Sequence, residues 1–262
     1  MSDVAFEGKR AVVTGGNRGM GFGIAKALAA LGAEVCLVGR DPHELEAARE
    51  AIEGEGGSCR SLSVDLATIE GARSAGEDLL SMASRWDILV NCAGNPPGPL
   101  LLETDLDYWD ETFAIHCRAP FLLAQALVPA MIAGSGGEIL NISSTASLQS
   151  CRGHGAYSSA KAGMNMLTRT MALEWGSRGI KANVICPTAV MTEMGKEVWG
   201  NQPVRAEWLL SKIPVGRFAE VDDVVRLVLF LVGPDNTFIN GAVIPCDGGL
   251  LVGLVDGPPE ER

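Results

Sequence analysis

The amino-acid sequence predicts an α/β protein with one doubly wound parallel sheet of about seven strands and helices on both of its faces. Short apolar runs alternate with amphipathic stretches along almost all of its 262 residues. Repeated strand-then-helix units favour parallel pairing, because right-handed crossovers return each helix over the sheet. We find no low-complexity tract, internal repeat or linker, so we expect a single domain over residues 1–262.

The first half of the chain contains the clearest element boundaries. The apolar run 11–13 is the first expected strand, and a helix over about 21–31 follows it. Asp41 and Pro42 mark the start of another helix, because aspartate caps a helix N-terminus and proline suits the first turn. The other elements expected here are strands at 34–38, 60–64 and 87–90 and a helix at 68–84.

The second half continues the alternation and then interrupts it. Its expected elements are helices at 106–132, 155–175 and 221–232 and strands at 138–142, 181–185 and 242–245. Residues 193–214 form a long irregular stretch with apolar side chains such as Trp208, and we expect a substrate lid there. Residues 257–262 are expected to form a frayed tail.

Composition and charge exclude several classes of protein. Hydrophobic residues make up 47% and charged residues 20% of the chain, as is typical of a globular domain. The net charge of −11 disfavours binding to nucleic acid or to an anionic membrane. We find no uninterrupted apolar run of about 18 residues and no signal peptide, so we expect a cytoplasmic protein without a membrane span.

The cysteines and histidines do not predict a metal site. Seven cysteines are scattered along the chain without a Cys-x-x-Cys pair. The three histidines, His43, His116 and His154, lack metal-ligand spacing. We therefore expect no bound metal.

A glycine-rich loop follows the first expected strand. Gly15, Gly19 and Gly21 have the spacing G-x-x-x-G-x-G between a strand and a helix. Glycine permits a sharp turn and lets backbone N–H groups approach a pyrophosphate, which then faces the helix N-terminus. The loop lacks the Lys-Ser/Thr ending of a P-loop, so the pattern favours a dinucleotide over a nucleoside triphosphate.

Two arginines bear on the choice of dinucleotide. Arg18 lies in the glycine loop, and Arg40 follows the second expected strand. An arginine at this strand end accommodates the 2′-phosphate of NADP, whereas an acidic residue would bind the free ribose 2′-hydroxyl of NAD. Asp41 is the competing acidic residue, but it is better placed as a helix cap. The charges therefore favour NADP(H), with NAD(H) as the alternative.

A tyrosine and a lysine form the candidate catalytic pair. Tyr157 and Lys161 are four positions apart and share one face of an expected helix. A neighbouring ammonium stabilises a phenolate and lowers the tyrosine pKa, so the pair can exchange a proton with a carbonyl or alcohol oxygen. Ser144, at the end of an expected strand, could hold the substrate oxygen beside the phenol.

The ordered set of motifs resembles the short-chain dehydrogenase/reductase family over about residues 6–252, in particular its 3-oxoacyl-carrier-protein reductases and secondary alcohol dehydrogenases. The matching pieces are Thr14-Gly15-x-x-x-Gly19-x-Gly21, Asp65, Asn91-Cys92-Ala93-Gly94, Ser144, Tyr157-x-x-x-Lys161, Pro187 with Thr192, and Asp247-Gly248-Gly249. The resemblance implies a Rossmann-type fold and hydride transfer between a nicotinamide and a ketone or secondary alcohol.

The resemblance also implies roles for individual residues. Tyr157 would be the general acid or base, Ser144 would orient the substrate, and Lys161 would bind the nicotinamide ribose and lower the Tyr157 pKa. The expected cofactor contacts are Gly15, Asn17, Arg18, Gly19, Met20, Gly21, Arg40, Asp65, Leu66, Asn91, Ala93, Gly94, Tyr157, Lys161, Pro187, Val190 and Thr192.

Three positions depart from the family pattern. His116 stands where the family usually places a catalytic asparagine that holds a water in a proton relay. Histidine can also bond water, and a pKa near 6.5 would make the relay titratable. The alternative is that His116 is an ordinary helix histidine and that the relay is weakened. Thr188 replaces a usual glycine, and Cys92 replaces a usual asparagine, which we interpret as packing.

No sequence motif identifies the residues that would contact the substrate. The proline-rich loop 95–100 and the stretch 193–214 would border it, and Gln149, His154 and Met194 are the candidate contacts. Their surroundings predict a small and fairly apolar ketone or alcohol. The resemblance further implies a homotetramer or dimer. The alternatives are an NAD-dependent alcohol dehydrogenase of the same family and a dinucleotide-binding protein without catalysis.

Overall fold

The computed structural model describes residues 5–253, and the predicted tail at 257–262 lies outside them. Seven strands in these residues form one parallel sheet in the order β3-β2-β1-β4-β5-β6-β7. The strands are β1 (Arg10–Thr14), β2 (Glu34–Gly39), β3 (Ser58–Ser63), β4 (Ile88–Asn91), β5 (Gly137–Ile142), β6 (Ile180–Pro187) and β7 (Val243–Cys246). The predicted doubly wound parallel sheet is therefore confirmed.

Helices pack on both faces of the sheet. Within the described residues they are α1 (Gly19–Ala30), α2 (Pro42–Gly54), α3 (Ile69–Met82), α4 (Leu106–Phe113), α5 (Ala119–Ala133), α6 (Gly155–Trp175), α7 (Glu193–Gly200), α8 (Pro203–Leu210) and α9 (Val221–Val232). The core on one face joins α1, α2 and α9, and the core on the other joins α3, α5 and α6. Adjacent residues Val12 and Val13 of β1 belong to opposite cores, because strand side chains alternate.

The helix predicted over 106–132 is divided in the structure. A π-helical segment, Ala114–Arg118, separates α4 from α5. Pro120 explains the irregularity, because it has no N–H to donate to the carbonyl of His116 four residues earlier. The sequence pattern predicted one continuous helix because apolar periodicity does not register a single widened turn.

The same stretch meets a criterion of length and composition for a membrane span, although polar and charged residues interrupt its apolar runs. The 28-residue helical run Leu106–Ala133 is long and apolar enough by composition, although 44% of its most apolar window is buried inside the protein. Leu123 and Leu127 of α5 are fully buried against the sheet. This part of the run therefore serves as a core helix of the fold.

Two helices occupy the stretch predicted to be irregular. The Thr192 hydroxyl accepts a hydrogen bond from Gly195 N at 3.0 Å and so caps α7, and Pro203 begins α8. Two short helices were missed because neither carries a long apolar period. Whether residues 193–214 act as a lid stays a prediction.

The sheet order places a crevice between two strands. The connection from β1 runs to β2 on one side, whereas β4 lies on the other side of β1. Helices therefore leave the carboxyl ends of β1 and β4 in opposite directions, and a ligand site is expected in the gap between them.

Candidate active site

A cleft of about 550 Å³ opens at the carboxyl ends of β1, β2 and β4. The structure thus brings together most of the predicted cofactor residues. Those that line the cleft are Gly15, Asn17, Arg18, Gly19, Met20, Gly21, Arg40, Asp65, Leu66, Ala93, Gly94 and Thr192.

The glycine loop packs closely on the end of β4. Gly15 has a φ of +66°, and a Cβ on it would lie 2.9 Å from the Cα of Ala93. A Cβ on Gly21 would lie 2.1 Å from the carbonyl oxygen of Gly15, so only glycine fits there. Thr14 Oγ1 accepts hydrogen bonds from the backbone N–H groups of Cys92 and Ala93, each at 3.0 Å, and ties the two strand ends together.

The N-terminus of α1 carries no side-chain cap. Arg18 is the N-cap residue, its side chain makes no capping hydrogen bond, and the first turn contains no acidic residue. The first N–H groups of a helix need acceptors, and the helix dipole favours an anion there. The glycine spacing and the uncapped helix together form a place where a pyrophosphate fits.

Charged side chains line the cleft beyond the loop. The Asp41 carboxylate accepts from His43 N at 2.8 Å and Glu44 N at 3.1 Å, which confirms the predicted helix cap. Arg40 is exposed and lines the cleft. Sequence reasoning missed Glu44, whose Oε1 lies 3.4 Å from Arg18 Nη1 and whose Oε2 accepts a hydrogen bond from Asn17 Nδ2. The sequence did contain a signal for Glu44, because this residue lies in the first helical turn after Arg40.

Asn91 lies in the sheet rather than in the cleft. Its Nδ2 donates to Asn141 Oδ1 at 2.8 Å, and Asn141 Nδ2 donates to Thr168 Oγ1 at 2.7 Å. This buried network joins β4, β5 and α6. Asn91 therefore links strands inside the sheet, and its contact with the cofactor stays a prediction.

Pro187 and Val190 also lie outside the lining of the cleft. Pro187 ends β6 in register with Cys246 of β7. Val190 is 8% exposed and forms a parallel bridge with Ala219. Backbone pairing and core packing hold both residues, so the structure does not place either as a direct contact of the cleft.

The predicted catalytic residues come together beside the cleft. Lys161 Nζ lies 5.7 Å from the centre of the Tyr157 ring and donates to the carbonyl of Ile142 at 2.7 Å. Ser144 precedes a short 3-10 turn at the end of β5, and its Oγ accepts from Ala146 N at 3.1 Å. The helical spacing in α6 and the end of β5 thus place a hydroxyl, a phenol and an ammonium in one region.

Burial shifts the pKa values of Tyr157 and Lys161. Loss of hydration raises the pKa of Tyr157 to about 12, although a hydrogen bond with Ser144 acts in the lowering direction. Loss of hydration lowers the pKa of Lys161 to about 8. Burial disfavours the charged form of both groups, so the predicted lowering of the Tyr157 pKa by Lys161 does not prevail over the rise that burial causes.

His116 lies in the π-helical segment with only 1% of its surface exposed. Its ring packs edge-on to that of Tyr157, with 5.2 Å between the ring centres, and a Cβ on Gly94 would lie 2.4 Å from its Cε1. Burial, and then the charge of Lys161, lower the pKa of His116 well below its usual value. The expectation of a ring that titrates near pH 6.5 is therefore wrong, and His116 is neutral at neutral pH.

The candidate substrate contacts are spread around the site. The His154 ring packs edge-on to Tyr157 with 5.9 Å between ring centres, and Met194 is 48% exposed and lines the cleft. Gln149 is exposed on the turn after Ser144. The cleft also contains polar residues that sequence reasoning did not single out and that no motif marks, namely Glu111 and Glu193.

Comparisons with known proteins find relatives over nearly the whole chain. A family model described as enoyl-(acyl carrier protein) reductase matches residues 15–251. The chain is 38% identical to L-xylulose reductase of Mesocricetus auratus, over 95% of this chain and 99% of that protein. It is 35% identical to D-threitol dehydrogenase of Mycolicibacterium smegmatis, over 95% of each chain.

Solved structures resemble the fold as a whole. A gluconate 5-dehydrogenase from Burkholderia cenocepacia J2315, in complex with NADP and tartrate, superposes with a TM-score of 0.90 at 29% identity. The similarity covers 96% of this chain and 99% of that one.

Proposed function

Because the chain belongs to the short-chain dehydrogenase/reductase family, we propose that it reduces a small ketone to a secondary alcohol with NADP(H), using Tyr157 as the proton donor. As a member of that family it is an oxidoreductase that acts on CH–OH groups with a nicotinamide dinucleotide. The observation that carries the finer proposal is the assembly of Ser144, Tyr157 and Lys161 beside the cofactor cleft.

Each of the three side chains has a separate role at the carbonyl group of the substrate. When bound, the nicotinamide supplies the hydride that reaches the carbonyl carbon. The Ser144 hydroxyl donates a hydrogen bond to the carbonyl oxygen and orients it toward the Tyr157 phenol. Tyr157 then donates its proton to that oxygen, and it holds this proton at neutral pH because its pKa is raised to about 12.

Lys161 supports the charge that the phenol develops. Its ammonium lies 5.7 Å from the Tyr157 ring centre and stabilises the phenolate as the proton leaves. The lowered pKa of Lys161, about 8, lets it release and regain a proton near neutral pH. His116, neutral and buried at the edge of the Tyr157 ring, is proposed to take the place of the relay asparagine.

The cleft suits a dinucleotide with a 2′-phosphate. A side chain at Gly15 or Gly21 would collide with the backbone of Ala93 or of Gly15, so glycine lets the loop fold closely enough to present its N–H groups to a pyrophosphate. Arg18 and Arg40 line the adjoining part of the cleft and supply positive charge for the phosphate. Use of NAD(H) in the oxidative direction is the alternative within the same chemistry.

The substrate we propose is a short polyhydroxylated ketone or the matching sugar alcohol. The printed names of the relatives mention xylulose, threitol and gluconate. Glu111, Glu193 and Asn95 line the cleft and can bond hydroxyl groups. This replaces the expectation of a fairly apolar substrate, for which Met194, Ile115 and Pro96 at the same cleft are the support.

We also propose that the protein forms a homo-oligomer, a tetramer or a dimer. Phe121 of α5 and Met166 and Leu173 of α6 are exposed by 39%, 59% and 84%. Apolar side chains on two neighbouring helices favour contact with a second copy. The cytoplasmic location stays a prediction.

A dinucleotide-binding protein without catalysis is the rival from a different class. His116 in place of the relay asparagine favours it. A binding role, however, requires no phenol, ammonium and hydroxyl in one place.

Direct binding and turnover measurements test the proposal. The protein is titrated with NADPH and with NADH while nicotinamide fluorescence is followed, and short ketoses and simple ketones are then added while absorbance at the nicotinamide band is recorded. We expect tighter binding of NADPH and ketose-dependent oxidation of it. Tight binding without turnover on any ketone or alcohol would favour a dinucleotide-binding protein without catalysis.

A further inference from the structure

We propose that Glu44 is a specificity-determining residue that weakens the binding of a 2′-phosphate and thereby limits the preference for NADP over NAD. The inference rests on the proposed cofactor and adds a residue that opposes Arg18 and Arg40. It concerns binding and not hydride transfer, so it can be tested without turnover.

The geometry places the Glu44 carboxylate against the glycine loop. Glu44 lies in the first turn of α2 and lines the cleft. One of its oxygens accepts a hydrogen bond from Asn17 Nδ2, and the other lies 3.4 Å from Arg18 Nη1. The side chains of Arg18 and Glu44 are 64% and 42% exposed, so a ligand in the cleft can reach both.

The neighbouring acidic residue Asp41 also lines the cleft, but its hydrogen bonds go to the N-terminus of α2. The Asp41 carboxylate accepts from the backbone N–H groups of His43 and Glu44, and these hydrogen bonds lower the pKa of Asp41. The Asp41 carboxylate thus stabilises the N-terminus of α2. Glu44 is the acidic side chain that contacts the loop residues Asn17 and Arg18 directly.

Charge makes Glu44 act differently on the two cofactors. A 2′-phosphate that approaches Arg18 competes with the Glu44 carboxylate for the guanidinium and is repelled by it. A free ribose 2′-hydroxyl carries no charge, and a carboxylate is a good acceptor for it. Glu44 therefore weakens NADP binding and leaves NAD binding unchanged or stronger.

The test compares two ligands that differ only in the 2′-phosphate. Calorimetric titrations of the full chain with adenosine 2′,5′-bisphosphate and with adenosine 5′-monophosphate are carried out for wild type, Glu44→Gln and Glu46→Gln. Glutamine keeps an acceptor for Asn17 and removes only the charge. Glu46 is the matched control, because it is exposed on the same helix and pairs with Arg49.

We expect Glu44→Gln to bind the bisphosphate about three- to tenfold more tightly, with the monophosphate unchanged or weaker. Glu46→Gln should leave both affinities as they are. The gain should shrink at 0.5 M salt (roughly threefold above physiological ionic strength), because salt screens charges at an exposed site.

The outcomes separate this inference from the proposed function. If the monophosphate binds but Glu44→Gln leaves the ratio of the two affinities unchanged, or weakens the bisphosphate, then Glu44 does not set specificity and the inference is overturned. If neither ligand binds to any of the three proteins, the proposed cofactor is wrong, and the proposed role of Glu44 is wrong as well.

Discussion

His116 Nε2 lies 2.9 Å from the side-chain Oδ1 of Asn95, and this contact selects one tautomer of a buried ring. Asn95 Nδ2 donates to Thr112 Oγ1 at 3.1 Å, so the amide oxygen is the atom that faces the imidazole. An amide oxygen only accepts, and a neutral imidazole has one N–H, so the proton resides on Nε2. Nδ1, buried and without a hydrogen-bond partner among the described residues, is then left as an acceptor in a ring that packs edge-on to that of Tyr157.

The first prediction concerns this ring. We expect His116→Asn to keep kcat for ketone reduction within about threefold of wild type, because asparagine also supplies a polar group that can bond water. His116→Leu should lower kcat about tenfold or more, since it removes the polar group from the side chain that packs on the Tyr157 ring. The measurement is steady-state kinetics with NADPH binding as the control. A fully active leucine variant would exclude His116 from the proton relay.

The second prediction concerns the proton donor. Tyr157→Phe should lower kcat by a factor of about 10² to 10⁴, because phenylalanine has no proton to give to the carbonyl oxygen. The Kd for NADPH should stay within about threefold, since the ring still fills the same space. Tyr108→Phe is the matched control, because Tyr108 is the other tyrosine and its hydroxyl bonds the carbonyl of Pro96. Turnover that survives in Tyr157→Phe would disprove the mechanism.

The third prediction is a pH profile. The pKa of Lys161 is lowered to about 8, so its ammonium is charged below this pH and is lost as the pH rises through it. We therefore expect kcat/KM for ketone reduction to be flat between about pH 6 and 7 and to fall through an apparent pKa near 8. Tyr157, with its pKa raised to about 12, keeps its proton throughout this range.

The same profile tests the state of His116. Because burial lowers the pKa of His116 well below its usual value, no transition is expected near pH 6.5. The profile of His116→Asn should accordingly keep the transition near pH 8. A transition near pH 6.5 that disappears in this variant would show that His116 titrates in the active enzyme.

The fourth prediction concerns the cofactor phosphate. Arg40→Asp should weaken NADPH binding about tenfold to a hundredfold, because a charge-assisted hydrogen bond is replaced by repulsion. NADH binding should be unchanged or tighter, since aspartate can accept from the ribose hydroxyls. Fluorescence titration with both cofactors measures this. Equal losses for both would mean that Arg40 does not recognise the 2′-phosphate.

The fifth prediction concerns the buried network below the site. Thr168→Ala should lower the free energy of unfolding by about 1–3 kcal/mol, because it leaves the Asn141 amide without its acceptor. Thr170→Ala, on the same helix, should change it by less than about 0.5 kcal/mol, since Thr170 is exposed and bonds only its own helix. Urea unfolding of both variants measures the difference. Equal effects would mean that the network adds no stability.

Local features of the chain predicted much of the fold. The strand-helix alternation, the glycine loop and the Asp41 cap each depend on residues within a few positions of one another, so periodicity and residue type are enough to find them. Tyr157 and Lys161 could be paired for the same reason, because a helix places residues four apart on one face. Pro120 was visible in the sequence, but proline also suits the first turn of a helix, so it did not mark the widened turn and a continuous helix was predicted.

The sequence by itself thus determined the class of fold, the cofactor loop and the identity of the candidate catalytic residues. Only the tertiary structure decided that Glu44 faces Arg18, that Asn95 orients His116, and that Asn91 bonds Asn141 inside the sheet. It also decided the direction of each pKa shift. The physical reason is that contacts between distant residues and the loss of hydration on burial depend on how the elements pack, and no local pattern of residues contains that information.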